Sequence, residues 1–199
     1  WDSISTAPLH EPSERAQAIA SEMGVDLGRP IVVAGSTGPT EELLMHESVP
    51  ADVQLIIAPR KTERFEEASA MVPGAIRRSS GVRAPEGTTR FILDTIGELS
   101  SVFELADIVV MGRSFNDQFG SDPIEPAALG KPVIIGTRYG DFESSVGLLR
   151  SVNGIRIAEL LRAPDQRRAM GESARSCVRD QQGASAEHAR ELMGRVKRA

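Results

Sequence analysis

The chain has 199 residues, of which 40% are hydrophobic and 26% charged, and its formal net charge is −5. This composition is typical of a globular domain with a sizeable core and excludes a disordered chain. The acidic balance argues against a nucleic-acid-binding protein. No apolar run approaches the roughly 18–20 residues of a membrane span, and no signal peptide is visible, so we expect a soluble domain. Because the chain begins with Trp1 rather than Met, we expect a fragment that lacks its upstream part.

Cysteine and histidine usage argues against metal chemistry. The only cysteine, Cys177, excludes an intramolecular disulfide and a cysteine cluster, which fits a reducing compartment. The histidines at positions 10, 46 and 188 lie far apart and in no metal-ligand spacing, so we expect no metal site.

The charge is unevenly distributed along the chain. Residues 160–199 contain nine basic and five acidic residues, a net charge of +4, which leaves −9 for the rest. A basic helical tail of this kind can face an anionic membrane surface, but an ordinary solvated helix face explains the same pattern.

Short apolar runs recur along the chain, and several of them end in glycine or proline. Most are continuous and β-branched rather than alternating, which is typical of strands buried on both faces of a parallel sheet. The predicted strands are residues 31–34, 53–58, 91–93, 108–111 and 132–135, with weaker candidates at 75–78 and 154–157.

Segments with helical periodicity lie between these runs. The period places Ile96, Leu99 and Phe103 on one apolar stripe of a helix. Alternating strands and helices predict an α/β fold, a Rossmann-like doubly wound parallel sheet. We expect one such domain over residues 1–199, in which residues 1–8 are the remnant of an interdomain connector.

Further along the chain, residues 122–130 predict a short helix. Asp122 suits its N-cap, Pro123 its first position and Gly130 its end. Two closing helices are predicted after it, within residues 163–199, at 163–181 and 185–198. The stretches 79–88 and 115–122 are rich in Gly, Pro or Ser and predict loops.

Ligands of such sheets bind beyond the carboxyl ends of the strands, so the segments there are candidate sites. In the first, residues 34–38, glycine allows close backbone approach, and the hydroxyls of Ser36 and Thr37 can bond phosphate or sugar oxygens. The segment is neither a Walker A loop nor a GxGxxG motif. A plain turn in which Ser36 or Thr37 caps the next helix is an equally good interpretation.

The second candidate segment is Pro59-Arg60, directly after a predicted strand. An arginine at this rim is well placed to pair bidentately with a phosphate. The alternative is a surface arginine that pairs with Glu63 or Glu66.

The third candidate segment, Asp94 to Leu99, runs from a strand end into a helix whose first amides would point at a ligand. In the alternative interpretation, Asp94 or Thr95 merely caps that helix and Glu98 complements its dipole.

In the fourth segment, residues 112–133, Glu125 lies in the first turn of the short helix, where a carboxylate can accept both hydroxyls of a ribose.

The order of these motifs resembles the C-terminal half of the 3-deoxy-D-manno-octulosonic acid (Kdo) transferases of lipopolysaccharide synthesis. The resemblance covers nearly the whole chain. The matching segments are, in order, Trp1-Asp2; Ala34-Gly35-Ser36-Thr37 with Glu41-Glu42; Ala58-Pro59-Arg60 with Glu63-Arg64-Phe65; Arg77-Arg78-Ser79; Leu93 to Leu99; Ala106-Asp107; Asp122 to Val133; Gly140-Asp141-Phe142; and Met170-Gly171-Glu172.

The resemblance implies a GT-B glycosyltransferase that transfers Kdo from CMP-Kdo to a lipid A precursor at the cytoplasmic face of the inner membrane, where peripheral membrane contact is possible. The C-terminal half would hold the CMP moiety, and no cofactor other than this donor substrate is implied. The implied nucleotide-binding residues are Pro59 and Arg60 at the phosphate end; Ile96, Gly97 and Glu98 at the helix start; Asp122, Pro123, Ile124 and Glu125 around phosphate and ribose, with Glu125 on the ribose hydroxyls; and, more weakly, Ser36 and Thr37.

The resemblance also implies that no catalytic residue lies in this chain. The general base of the family belongs to the N-terminal domain, so we do not assign that role to Glu41, Glu98 or Glu125. We therefore expect a fragment that is inactive alone and that works with the missing domain.

Three departures from the family's motifs bear on the donor. The family has Met at the position of Ile96, His at that of Lys61, and a His-Asn pair at that of Ser121-Asp122. A carboxylate beside a phosphate would add repulsion of about 1 kcal/mol. Two alternatives therefore stay open: a domain that uses a UDP-sugar, and a degenerate module that binds or interacts without catalysis.

Overall fold

The computed structural model describes residues 4–6, 11–149 and 160–183. Six strands form one parallel sheet in the order β3-β4-β2-β1-β5-β6. The strands are β1 Ile31–Thr37, β2 Gln54–Pro59, β3 Ile76–Arg77, β4 Arg90–Ile92, β5 Ile108–Met111 and β6 Val133–Ile135. The predicted α/β class and parallel sheet are therefore confirmed, including the weak candidate at 75–78, whereas the candidate strand at 154–157 lies outside the described residues.

Helices connect the strands. The α-helices of the described residues are α1 Glu14–Met23, α2 Glu41–Ser48, α3 Phe65–Ala70, α4 Leu99–Leu105, α5 Ile124–Ala128, α6 Glu143–Leu149 and α7 Pro164–Asp180. Helix α7 matches the first predicted closing helix, and the second, at 185–198, lies outside the described residues. The predicted connector at residues 1–8 is described only at positions 4–6, where Ile4 packs near α5 and α7.

The sheet is covered on both faces, which explains the continuous apolar runs. Alternate residues of β1 enter different cores: Val33 packs with α1 and α4, whereas Val32 and Ala34 pack with α2. A third, smaller cluster joins α5 to α7 through residues that include Ile124 and Val178.

Two glycines bring α5 and α7 together. Gly130 ends the α5 segment with φ +73°, the left-handed conformation expected of a helix stop. A Cβ on Gly171 of α7 would lie only 1.9 Å from the carbonyl oxygen of Gly130. The close approach of the two segments therefore requires glycine at position 171.

Candidate functional site

The candidate site lies at the carboxyl edge of the sheet, where β1 has β2 on one side and β5 on the other. Gly35 of β1 pairs with Ala58 of β2 and with Met111 of β5. The chain leaves β1 toward β2 and returns on the opposite side at β5, so this is the point where the strand order reverses. In open α/β sheets the ligand crevice forms at such a point.

The first loop forms the floor of this crevice. Ser36 has φ +56°, and the Thr37 hydroxyl donates a 2.8 Å hydrogen bond to the buried carboxylate of Glu42. Neither residue caps the next helix, so that alternative was wrong: α2 begins at Glu41, preceded by Thr40. Ser36 and Thr37 are both buried, at 9% and 1% exposure, and the Thr37 hydroxyl is already bonded to Glu42.

A buried carboxylate ties the first loop to the loop after β5. Glu41 is 1% exposed, and one oxygen of its carboxylate accepts the amides of Gly38 at 2.8 Å and of Arg113 at 2.5 Å. Its other oxygen accepts the amide of Phe115 at 3.0 Å. Sequence reasoning missed this role, because an acidic residue at a helix start is usually exposed.

Arg60 follows β2 at the rim of the crevice. Its amide donates a 3.0 Å hydrogen bond to the Thr37 carbonyl, and its side chain is exposed. The expected alternative partners are engaged elsewhere, since Glu63 pairs with Lys61 and Glu66 with Arg77. Within the described residues the Arg60 guanidinium makes no ion pair, and it is therefore available to an anionic ligand.

The segment after β4 differs from the predicted helix. Helix α4 starts only at Leu99, because Gly97 adopts φ +83° and interrupts the chain before it. The prediction that Ile96 lies on the buried stripe was therefore wrong: its side chain is 75% exposed, whereas Phe103 is buried. Ile96 and Gly97 thus form an exposed turn at the carboxyl edge.

The acidic residues on either side of this turn are held by arginines from β3 and the turn after it. Arg77 Nε donates to the Asp94 carboxylate at 2.6 Å, and Arg78 donates to both oxygens of Glu98 at 3.0 and 3.2 Å. Arg15 of α1 also pairs with Glu98. The suggestion that Asp94 or Thr95 caps α4 was wrong, because α4 has no side-chain cap.

Ionisation of Asp94 and Glu98 is favoured by these contacts. Burial opposes it, but hydrogen bonds from Ser79 and Arg77 outweigh burial and lower the pKa of Asp94. For Glu98, burial is likewise outweighed by the hydrogen bonds from Arg78 and Thr95, which lower its pKa. Both oxygens of the Glu98 carboxylate are thus already bonded within the protein.

The α5 segment presents Glu125 in its first turn, as predicted. The Glu125 carboxylate is exposed and accepts a hydrogen bond from the hydroxyl of Ser100 on α4. The predicted N-cap was wrong, because the helix begins at Ile124 and its N-cap is Pro123, without a side-chain cap. Asp122 accepts the Ile124 amide at 3.0 Å in the turn before the helix. Two exposed carboxylates, those of Asp122 and Glu125, therefore lie at the start of α5.

The structure places the predicted residues along one edge of the sheet, in three groups. Ser36, Thr37, Pro59 and Arg60 lie around the end of β1. Ile96, Gly97 and Glu98 follow β4, and Asp122, Pro123, Ile124 and Glu125 follow the loop after β5. The Glu125–Ser100 hydrogen bond links the second and third groups. Contact of any of these residues with a nucleotide stays a prediction.

The fold and the crevice define a Rossmann-like α/β domain of the kind that forms one half of a GT-B glycosyltransferase. The chain has TM-score 0.70 to the C-terminal CMP-Kdo binding domain of WaaA from Acinetobacter baumannii, with 22% identity, over 84% of this chain and 95% of that one. At this identity the match establishes the fold.

Sequence comparison then gives the family. The chain is 30% identical over 183 residues to the 3-deoxy-D-manno-octulosonic acid transferase of Bordetella pertussis and 28% identical over 178 residues to that of Haemophilus influenzae. These matches cover 79% and 78% of the chain but 43% and 42% of the relatives, so the chain spans less than half of their length. The chain belongs to the Kdo transferase family and corresponds to its C-terminal domain. No protein-family model matches it.

Among the described residues, no helix combines the length and the hydrophobicity that crossing a bilayer requires.

Proposed function

We propose that this chain is the donor-binding domain of a Kdo transferase and that it holds the CMP moiety of CMP-Kdo. The observation that carries the proposal is the 183-residue match to a Kdo transferase, which covers 79% of this chain. In the proposed complex, Arg60 pairs with the donor phosphate, and Glu125 accepts the ribose hydroxyls.

The distribution of charge at the carboxyl edge supports these two roles. The buried carboxylates of Glu41, Glu42 and Glu98 are each bonded within the protein. Glu125, by contrast, is exposed and held by one hydroxyl, so its carboxylate can still accept hydrogen bonds from a sugar. Arg60 supplies a positive charge without a carboxylate partner among the described residues.

Transfer of the sugar to an acceptor would require the rest of the enzyme. In the proposed division of labour, this domain binds and orients the donor, and the N-terminal domain supplies the general base and the lipid A precursor site. We propose that the whole enzyme works at the cytoplasmic face of the inner membrane, and that the chain alone transfers no sugar.

Calorimetric titration of the 199-residue chain with CMP, UMP and UDP tests the donor. We expect CMP to bind most tightly, and we expect Arg60→Ala and Glu125→Ala each to weaken it about tenfold or more. Arg83→Ala, which removes an exposed arginine between β3 and β4, and Glu172→Ala, which removes an exposed glutamate of α7, are matched controls and should bind CMP like the wild type.

The outcomes separate the alternatives. Preference for UDP would keep the fold and overturn the donor. A folded chain that binds none of the three would contradict the proposal and favour a degenerate module, and Asp122→Asn would then show whether the carboxylate beside the phosphate site prevents binding. Sugar transfer by the chain alone would overturn the proposed division of labour.

A further inference from the structure

Two arginines flank the central strand at the same level of the sheet. Gly35 of β1 pairs with Ala58 on one side and Met111 on the other. Arg60 lies two residues beyond Ala58, and Arg113 lies two residues beyond Met111. Neighbouring strands are about 4.8 Å apart, and β1 lies between β2 and β5. The backbones of Arg60 and Arg113 are therefore about 10 Å apart across the crevice. Two arginine side chains reach a common ligand easily over that distance.

Neither of these two cations is neutralised by the protein. Other arginines at this edge have carboxylate partners: Arg77, which ends β3, pairs with Asp94, Arg78 pairs with Glu98, and Arg138, after β6, pairs with Asp117. The Arg113 guanidinium donates to the main-chain carbonyl of Gln118 at 3.0 Å and has no carboxylate partner among the described residues. Within the described residues, the uncompensated positive charge next to β1 is therefore that of Arg60 and Arg113.

The backbone of Arg113 is held in a conformation that directs its side chain over the first loop. Its φ is +59°, which residues other than glycine disfavour. Glu41 accepts its amide at 2.5 Å, and its carbonyl accepts the amide of Gly120 at 2.7 Å. A Cβ on Gly38 would lie 3.4 Å from Arg113 Cγ, so the side chain starts directly above the crevice floor.

We propose that Arg113 is a second phosphate-binding residue, which acts with Arg60 as a two-cation clamp on the donor phosphate. This inference rests on the proposed function, since it assumes a cytidine monophosphate donor. Arg113 lies within the fourth candidate segment, residues 112–133, but the sequence assigned it no role of its own, because nothing in the sequence pairs it with Arg60.

Two positive charges stabilise the departing nucleotide more strongly than the intact donor. When the sugar is transferred, the bond between its anomeric carbon and a phosphate oxygen breaks, and the electron pair stays on the phosphate. The acceptor hydroxyl oxygen bonds to that carbon and loses its proton to a base. The phosphate thus changes from a singly charged diester to a more highly charged monoester, and a second cation stabilises the charge that develops.

The affinity ratio of CMP to cytidine isolates the phosphate. We expect the wild-type chain to bind CMP more tightly than cytidine, and we expect Arg113→Ala to reduce this ratio about tenfold or more without changing the affinity for cytidine. Arg113→Gly should reduce the CMP-to-cytidine ratio by the same factor. Because glycine adopts a positive φ without strain, this variant removes the charge without disturbing the backbone.

Arg29→Ala is the matched control. Arg29 is half-buried like Arg113 and also donates to one main-chain carbonyl, that of Asp52, but it precedes β1 at the opposite edge of the sheet. A CMP-to-cytidine ratio that stays at the wild-type value in Arg113→Ala and Arg113→Gly would overturn the clamp and leave the proposed function intact. A wild-type chain that binds CMP no better than cytidine would overturn both.

Discussion

The buried carboxylate of Glu41 accepts the main-chain amide of Arg113 at 2.5 Å, and this hydrogen bond joins the loop after β1 to the loop after β5. The two loops come from strands that are neighbours in space but 72 residues apart in sequence at this contact. The shape of the crevice therefore depends on one side chain that does not itself face the ligand.

Replacing Glu41 by glutamine should destabilise the chain by about 2 kcal/mol. The carboxylate accepts three amides, whereas a glutamine amide has a single acceptor oxygen and would turn its NH2 group toward at least one amide donor. Chemical denaturation measures the loss. Glu47→Gln, on the exposed face of the same helix, should change stability by less than about 0.5 kcal/mol, and an equal loss in both variants would contradict this role of Glu41.

The sequence predicted the sheet because its four central strands, β4, β2, β1 and β5, are buried on both faces. Five continuous apolar runs correspond to β1, β2, β4, β5 and β6, and a glycine or proline follows all of them except the run of β4. This prediction does not depend on distant contacts, because consecutive apolar residues within a run are enough to indicate a strand that is buried on both faces.

Features that depend on a single backbone angle or on a distant partner could not be predicted in this way. The periodicity around Ile96 suggested a helix, but the left-handed Gly97 excludes Ile96 from it. The burial of Glu41 and Glu42 follows from partners that lie 22 to 74 residues further along the chain, at Arg64 and in the loop after β5. The sequence placed Arg113 in a candidate segment at this edge, but the hydrogen bond of its amide to Glu41, 72 residues away, was visible only in the structure.

The ion pair of Glu42 and Arg64 should be among the most sensitive contacts in the domain. The Glu42 side chain is fully buried, and Arg64 donates to its two oxygens at 2.8 and 3.1 Å. These contacts with Glu42 raise the pKa of Arg64 further above its usual value, against the effect of burial. Arg64→Met leaves a buried carboxylate without its cation and should cost about 3–5 kcal/mol in denaturant unfolding.

The double variant Glu42→Leu with Arg64→Met tests whether the cost arises from the unpaired charge. It should recover a large part of the loss, because no buried charge remains. Arg168→Met, which breaks an exposed pair with Asp165, serves as the control and should change stability by less than about 1 kcal/mol. If the double variant is no more stable than Arg64→Met, packing rather than charge is responsible.

Glu98 should make the stability of the domain depend on acidity. Its pKa in the folded chain is lowered from the ordinary value of 4.5, so the unfolded chain binds its proton more readily. The stabilisation is therefore complete above about pH 4.5 and is lost as the pH falls through the lowered pKa of the folded state. Glu98→Gln should be less stable than the wild type by about 2 kcal/mol at pH 7, and the difference should shrink toward pH 3.

Urea unfolding between pH 3 and 7 measures this convergence. Asp94, whose pKa is also lowered, titrates in both proteins and contributes equally to each curve. Glu86→Gln changes an exposed glutamate and should run parallel to the wild type throughout. A difference between Glu98→Gln and the wild type that stays constant down to pH 3 would show that Glu98 stabilises the fold by packing and not by its charge.

Any side chain at position 171 should destabilise the contact between α5 and α7. A Cβ there would lie 1.9 Å from the Gly130 carbonyl oxygen, which is a main-chain atom and cannot rotate away. Gly171→Ala should therefore force the two segments apart and destabilise the domain by about 2–3 kcal/mol, despite the higher helix propensity of alanine. Gly147→Ala, in α6, meets no atom within 4 Å and should raise stability by about 0.5–1 kcal/mol. Thermal unfolding of the two variants should thus shift the midpoint in opposite directions, and a higher midpoint for Gly171→Ala would show that α5 and α7 do not pack this closely in solution.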